Sequence, residues 1–203
     1  ACVRGKFTLK DSSAEQTGKW IAGACGVTDP NNIKWYGNGG PALYLLGEGE
    51  LVLEGGTISI ARNATPDTAG NEIVNSGGLI RVDGGKLDIN GATLQVDDTY
   101  GVMAWGGEIE INAGTFDIDP TVSVPVYASG WYEDVAVEVN STFAGALCVY
   151  AGSKGTSATV NVAGVEYATG SGWVVPSVGE GLMTFDGLVL EEGVAVVTNA
   201  TSV

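Results

Sequence analysis

A short apolar frame recurs along the chain as Leu43-Tyr44-Leu45, Ile73-Val74-Asn75, Val102-Met103-Ala104, Val126-Tyr127-Ala128, Val149-Tyr150-Ala151 and Val174-Val175-Pro176. Successive copies begin 30, 29, 24, 23 and 25 residues apart. A unit of this size cannot bury its apolar face alone, so repeated units gain a core by stacking. The uneven period points to constant strands joined by loops of varied length. The last copy ends in Pro and is the weakest.

A second segment follows each frame: Leu51-Val52-Leu53, Ile80-Arg81-Val82, Ile109-Glu110-Ile111, Val137-Glu138-Val139, Val160-Asn161-Val162 and Met183-Thr184-Phe185. Its outer positions are apolar in every copy and its middle is polar in all but one, the alternation of a half-buried strand. A third segment, as in Thr57-Ile58-Ser59-Ile60, Lys86-Leu87-Asp88-Ile89 and Thr115-Phe116-Asp117-Ile118, comes after a corner marked by Gly55-Gly56, Gly84-Gly85 or Ala113-Gly114. Glycine there supplies the positive φ of a tight corner. Three short strands per repeat predict an all-β, single-stranded parallel β-helix of about six coils over residues 41–203, rising roughly 29 Å. Leu43, Ile73, Val102, Val126, Val149 and Val174 would form an inward aliphatic column. Residues 1–40 stand outside the repeat as a short N-terminal cap or docking region, with a strand at Phe7-Thr8-Leu9 and a short helix between Ser13 and Ala24 capped by Ser12 or Ser13.

The Gly-cornered strands, such as Gly-Gly-Leu-Ile-Arg-Val-Asp-Gly-Gly at 77–85, resemble the right-handed parallel β-helix superfamily of phage tailspikes, viral fibre modules, surface adhesins and polysaccharide lyases. The resemblance spans roughly residues 41–200 and implies architecture far more than activity. In the lyases it implies calcium-holding carboxylates beside a base. The acids that would serve are Asp97-Asp98 and Asp117-Ile118-Asp119, with Arg81 and Lys86 nearest. Only two oxygen donors stand together, fewer than a hard cation wants. Glu110 and Glu138 hold equivalent outward places on successive coils and read as a solvated acidic face. The column Glu54, Asp83, Asn112, Asn140, Ala163, Asp186 reads as a structural corner with a fragment of an Asn ladder.

Composition removes other chemistry. None of the 203 residues is His, so no Ser-His-Asp or Cys-His site and no imidazole metal ligand exists. Cys2, Cys25 and Cys148 have no zinc spacing; Cys2 and Cys25 are placed to close a disulfide or to stay free. No cofactor and no metal are expected. Twenty-four acids against nine bases give a net charge of −15, which repels nucleic acid and anionic membranes, and no apolar run is long enough to cross a bilayer. The sequons at Asn63, Asn140 and Asn199 are of the kind chance supplies. The sequence opens at Ala1 rather than Met, so removal of a leader or neighbouring region is expected.

The middle of the first frame points outward if its neighbours point in. Tyr44, Val74, Met103, Tyr127, Tyr150 and Val175 then form a stripe too apolar for plain solvent, with Trp105, Trp131 and Tyr132 close by. Its cover is the chain's own loops, another subunit or a sugar. The expectation is a partner interface made by Tyr44, Met103, Trp105, Tyr127, Trp131, Tyr132 and Tyr150. The function expected is a non-enzymatic structural or surface-display protein, outside the cell: a virion fibre, spike or capsid-decoration subunit, homo-oligomeric or bound to a virion partner. The alternatives are a secreted or cell-surface adhesin binding carbohydrate, and a polysaccharide lyase or glycoside hydrolase.

Overall fold

The structure is a computed structural model that describes residues 1–23, 41–61, 78–96, 100–118, 125–140, 149–153, 156–162, 165–167, 172–174, 183–185, 188–190 and 196–197. Among these residues the fold is all-β, with no helix. The strands are β1 (Cys2–Val3), β2 (Lys6–Lys10), β3 (Lys19–Gly23), β4 (Leu43–Leu46), β5 (Glu50–Glu54) and β6 (Thr57–Ala61). Two long bent strands follow, β7 (Ile80–Val96) and β8 (Val102–Ile118). Then come β9 (Val126–Gly130), β10 (Val135–Val139), β11 (Val149–Ser153), β12 (Ala158–Val162) and β13 (Val165–Tyr167). The last are β14 (Gly172–Val174), β15 (Met183–Phe185), β16 (Leu188–Leu190) and β17 (Val196–Val197).

Parallel pairing sorts these strands into three rows. The first row runs β1, β4, the start of β7, the start of β8, β9 and β11. The second runs β2, β5, the middle of β7, the middle of β8, β10 and β12. The third holds β3, β6 and the ends of β7 and β8. Each of β7 and β8 passes through all three rows. Register breaks between Asp83 and Lys86 and between Asn90 and Thr93 mark its corners. Gly84, Gly85 and Gly91 stand at those corners with positive φ.

In-register stacking builds the core as columns. Leu51, Leu87, Ile109, Val137 and Val160 are consecutive partners in the second row, and each is at most 2% exposed. Ile58, Leu94 and Phe116 are consecutive partners in the third, all buried. Each such side chain contributes about 1.5–3 kcal/mol of hydrophobic stabilisation. Backbone ladders join the layers, so a single layer has neither its bonds nor its core without the next.

The repeat differs from the expected one at its second copy. Leu43-Tyr44-Leu45 pairs with Ile80-Arg81-Val82, which in turn pairs with Val102-Met103-Ala104. Ile73-Val74-Asn75 lies outside the described residues, and Ile80-Arg81-Val82 holds the frame's place between those two copies. Lys86-Leu87-Asp88-Ile89 moves with it, from the third row to the second. The aliphatic column is Leu43, Ile80, Val102, Val126, continued by the backbone of Val149.

Residues 1–23 also differ from expectation. They do not stand outside the repeat: β1, β2 and β3 pair parallel and in register with β4, β5 and β6. In place of the expected helix, Lys19–Gly23 is a strand that turns Trp20 and Ala22 against the core and leaves Ile21 62% exposed. The Asp11 carboxylate accepts the Ser13 and Gly18 amides at 2.8 and 2.6 Å, which closes a turn rather than starting a helix. Those bonds hold its carboxyl below the usual carboxylate value. At the other end the parallel order stops. β13 runs antiparallel to β12, β14 antiparallel to β11, and β15 and β16 form a separate antiparallel pair. The copies expected at Val174 and Met183 therefore do not continue the parallel rows.

Candidate functional site

The corner between the first and second rows gathers most of the aromatic residues singled out in the sequence. Tyr44, Arg81 and Met103 are consecutive partners on β4, β7 and β8, with Tyr127 next on β9 and the backbone of Tyr150 beyond it. Tyr150's side chain lies outside the described residues. Correct register puts Arg81 where Val74 was expected, and Arg81 organises the cluster. Its Nε donates to both carboxylate oxygens of Asp83 at 3.0 and 3.1 Å. Its guanidinium carbon lies 3.9 Å from the Trp105 ring centroid and 5.3 Å from that of Tyr44, inside cation–π range. The Tyr44 hydroxyl donates to Asp83 Oδ2. Burial opposes the guanidinium's charge, but the Asp83 bonds and charge outweigh it and hold its pKa above the ordinary value.

Trp105 continues outward into a shelf. Trp131 stacks on it with centroids 4.9 Å apart and planes at 30°, and Tyr132 meets it edge-on at 5.6 Å. The turn after β9 is fixed by backbone bonds, because the amides of Trp131 and Tyr132 donate to the Trp105 carbonyl at 3.1 and 2.9 Å. Trp131 is 45% exposed and Tyr132 58%, while Trp105 is half-buried between them and Arg81. Met103 and Tyr127 differ from the rest. They are each 8% exposed within the single chain, and the Tyr100 ring packs against Tyr127 at 5.1 Å. The outward stripe is thus divided: Met103 and Tyr127 lie beneath cover, and Trp131 and Tyr132 present its open surface.

An acidic groove starts where the shelf ends. Glu48, Glu50, Glu108, Glu133 and Asp134 line it, with Lys86 and Ser157. Lys86 is spoken for. It lies 3.0 Å from Asp88 and 2.8 Å from Glu110, which raises its pKa and lowers that of Glu110. Glu50 pairs with Lys6 at 2.6 Å. Asp134 accepts the Ser157 amide and hydroxyl at 2.9 and 2.8 Å, which lowers its pKa. Glu48, Glu108 and Glu133 are exposed and have no basic partner among the described residues.

The remaining candidates fall elsewhere. Glu110 and Glu138 are direct neighbours on β8 and β10, as the repeat predicts. The corner column becomes a ladder once Asn90 replaces Asp83: Asn112 Nδ2 donates to Asn90 Oδ1 at 2.9 Å, and Asn140 Nδ2 to Asn112 Oδ1 at 2.8 Å. Asp117 accepts from Gln95 at 2.8 Å. Asp97, Asp98, Asp119, Asn63, Asn199, Cys25 and Cys148 lie outside the described residues. Cys2 is exposed. No group of three or more His, Cys, Asp or Glu able to hold a metal occurs among the described residues.

The aromatic members of the cluster were legible in the sequence, whereas Arg81 was read as a base near the candidate carboxylates and Asp83 as part of the corner column, not as members of this cluster. The signal was present, since Ile80-Arg81-Val82 has the alternation of the frame itself. No family model, no curated protein and no solved structure matches the chain.

The Tyr44–Asp83 bond has a consequence at high pH. Desolvation of Tyr44, together with the hydrogen bond and negative charge of Asp83, pushes its pKa up to about 12. The folded state therefore favours the protonated phenol. Its contribution is complete below the unfolded value near 10 and is lost as pH rises from there toward about 12. Urea midpoints measured across that interval should fall with pH. Tyr44→Phe should flatten the fall, with the remainder due in part to Tyr100, whose pKa burial also raises. An equally steep fall in Tyr44→Phe would place the titrating group elsewhere.

Proposed function

We propose that the chain is a single-stranded parallel β-helix of about six coils, with residues 1–23 as its first coil. In this reading it is a non-enzymatic structural module displayed outside the cell, as a virion fibre, spike or capsid-decoration subunit. The observation that carries the proposal is the parallel pairing that links each layer to the next from β1 to β12. Stacked strands share one core, and outward polar residues pair from layer to layer in the Asn90–Asn112–Asn140 ladder and the Lys86–Glu110 bridge. Such a body is a stiff spacer that carries an exposed aromatic corner to a partner.

Native mass by light scattering, with assay of the particle fraction, tests the reading. It expects an oligomer or a particle-bound protein, and no new reducing ends or unsaturated sugars from a panel of acidic and neutral polysaccharides. A monomer that never sediments with particles overturns the assembly role. Release of sugar products overturns the non-enzymatic one.

A further inference from the structure

We propose that the shelf of Trp131 and Tyr132 on Trp105 docks a basic segment of a partner subunit, seating an Arg or Lys side chain on the rings with its charge toward Glu133 and the groove beyond. The inference rests on the structural-subunit reading and adds the chemistry of the partner.

Three observations carry it. The first is exposure. Trp131 and Tyr132 are, with Ile21, the large apolar side chains most open to solvent among the described residues, and backbone bonds to the Trp105 carbonyl hold them in place. A shelf already ordered loses little side-chain entropy on binding. The second is charge. The two residues that follow it in the chain are Glu133 and Asp134, and Glu48 and Glu108 line the same groove. A cation is attracted there and an anion repelled. The third is the chain's own use of these rings. Arg81 already lies over Trp105 at 3.9 Å, so a guanidinium fits this aromatic chemistry, and Asp83 supplies the carboxylate beside it. The exposed rings with Glu133 repeat that combination of aromatic ring and carboxylate one step outward.

The test titrates the full chain with an octa-arginine peptide, an octa-glutamate peptide and maltoheptaose by calorimetry. Octa-arginine should bind, and octa-glutamate and maltoheptaose should not. Trp131→Ala and Tyr132→Ala leave the net charge unchanged, and each should weaken octa-arginine by about tenfold, the scale of a hot-spot aromatic. Glu133→Gln should weaken it less and reduce its salt dependence. Thermal melts of each variant report folding, and two independent ring variants guard against loss of one. Equal affinity in the ring variants would show attraction by net charge alone and overturn the proposal. Binding of maltoheptaose in preference to the basic peptide would assign the shelf to carbohydrate and overturn it too, as would no binding at all. Particle association that persists while the peptide fails to bind would sink this inference and leave the structural role standing.

Discussion

Gly107→Ala is expected to destabilise the protein by about 3 kcal/mol or more, lowering the melting temperature by about 6–12 °C for a chain of this size. Two costs add. Gly107 has φ +90°, a conformation that strains an L-residue by about 1–3 kcal/mol. A Cβ there would also lie 2.6 Å from the Gly85 carbonyl oxygen and 2.9 Å from the Gly84 carbonyl carbon. Both are backbone atoms of the adjoining layer and cannot swing aside as a side chain would. The ladder pins them, with the Lys86 amide on the Gly49 carbonyl and the Gly107 amide on that of Asp134, at 2.9 and 3.0 Å. Forced shifts of this kind add about 1–3 kcal/mol. Two companions separate the terms. Gly91→Ala has the strain without the clash, since φ is +130° and the nearest atom is 3.8 Å away. Gly5→Ala meets nothing within 4 Å and should be near neutral. The order Gly107, Gly91, Gly5 in chemical denaturation midpoints is the result to look for. Equal midpoints for Gly107→Ala and Gly91→Ala would mean that the layers are not held as closely as described.

The same glycines explain where the sequence was legible and where it was not. Alternation named the strands, because inward positions such as Leu51, Ile109 and Val137 must be apolar to share a core. It could not say which row a strand belongs to, since all three rows obey the same period-two rule. Gly55-Gly56 and Gly84-Gly85 look alike, yet the first turns the second row into the third and the second turns the first row into the second. Equating them slipped one copy by a strand. That slip hid Asn90 from the ladder and Arg81 from the aromatic stripe. The first layer was missed for a related reason. Lys6–Lys10 alternates as strongly as any strand, but its partners are about 44 residues away and the frame gives no copy near it. The shelf was legible as residue types only. Its open surface depends on the turn that brings Trp131 and Tyr132 back onto Trp105, and Tyr127 is covered by Tyr100, neither of which follows from alternation.

Arg81→Ala should cost about 3 kcal/mol, out of proportion to the loss of one side chain at a strand's outer face. Its partner makes the difference. The Asp83 side chain is 5% exposed, and Arg81 supplies the positive charge paired with it among the described residues. Truncation leaves that carboxylate with the Tyr44 hydroxyl but no counter-charge, and an uncompensated buried charge is the expensive outcome. The variant also takes the guanidinium off Trp105 and Tyr44, removing two cation–π contacts of about 1 kcal/mol or less each. Arg81→Lys keeps the charge but not the planar contact with Asp83 and the Trp105 ring, so it should fall between wild type and alanine. The decisive comparison is the double variant Arg81→Ala with Asp83→Asn. Neutralising Asp83 removes the unpaired charge, so the double variant should be more stable than Arg81→Ala alone, a non-additivity that a double-mutant cycle in urea reads directly. Additive losses, or a cost for Arg81→Ala within about 0.5 kcal/mol, would mean that water already reaches Asp83 and that the cluster is held by its rings rather than by this ion pair.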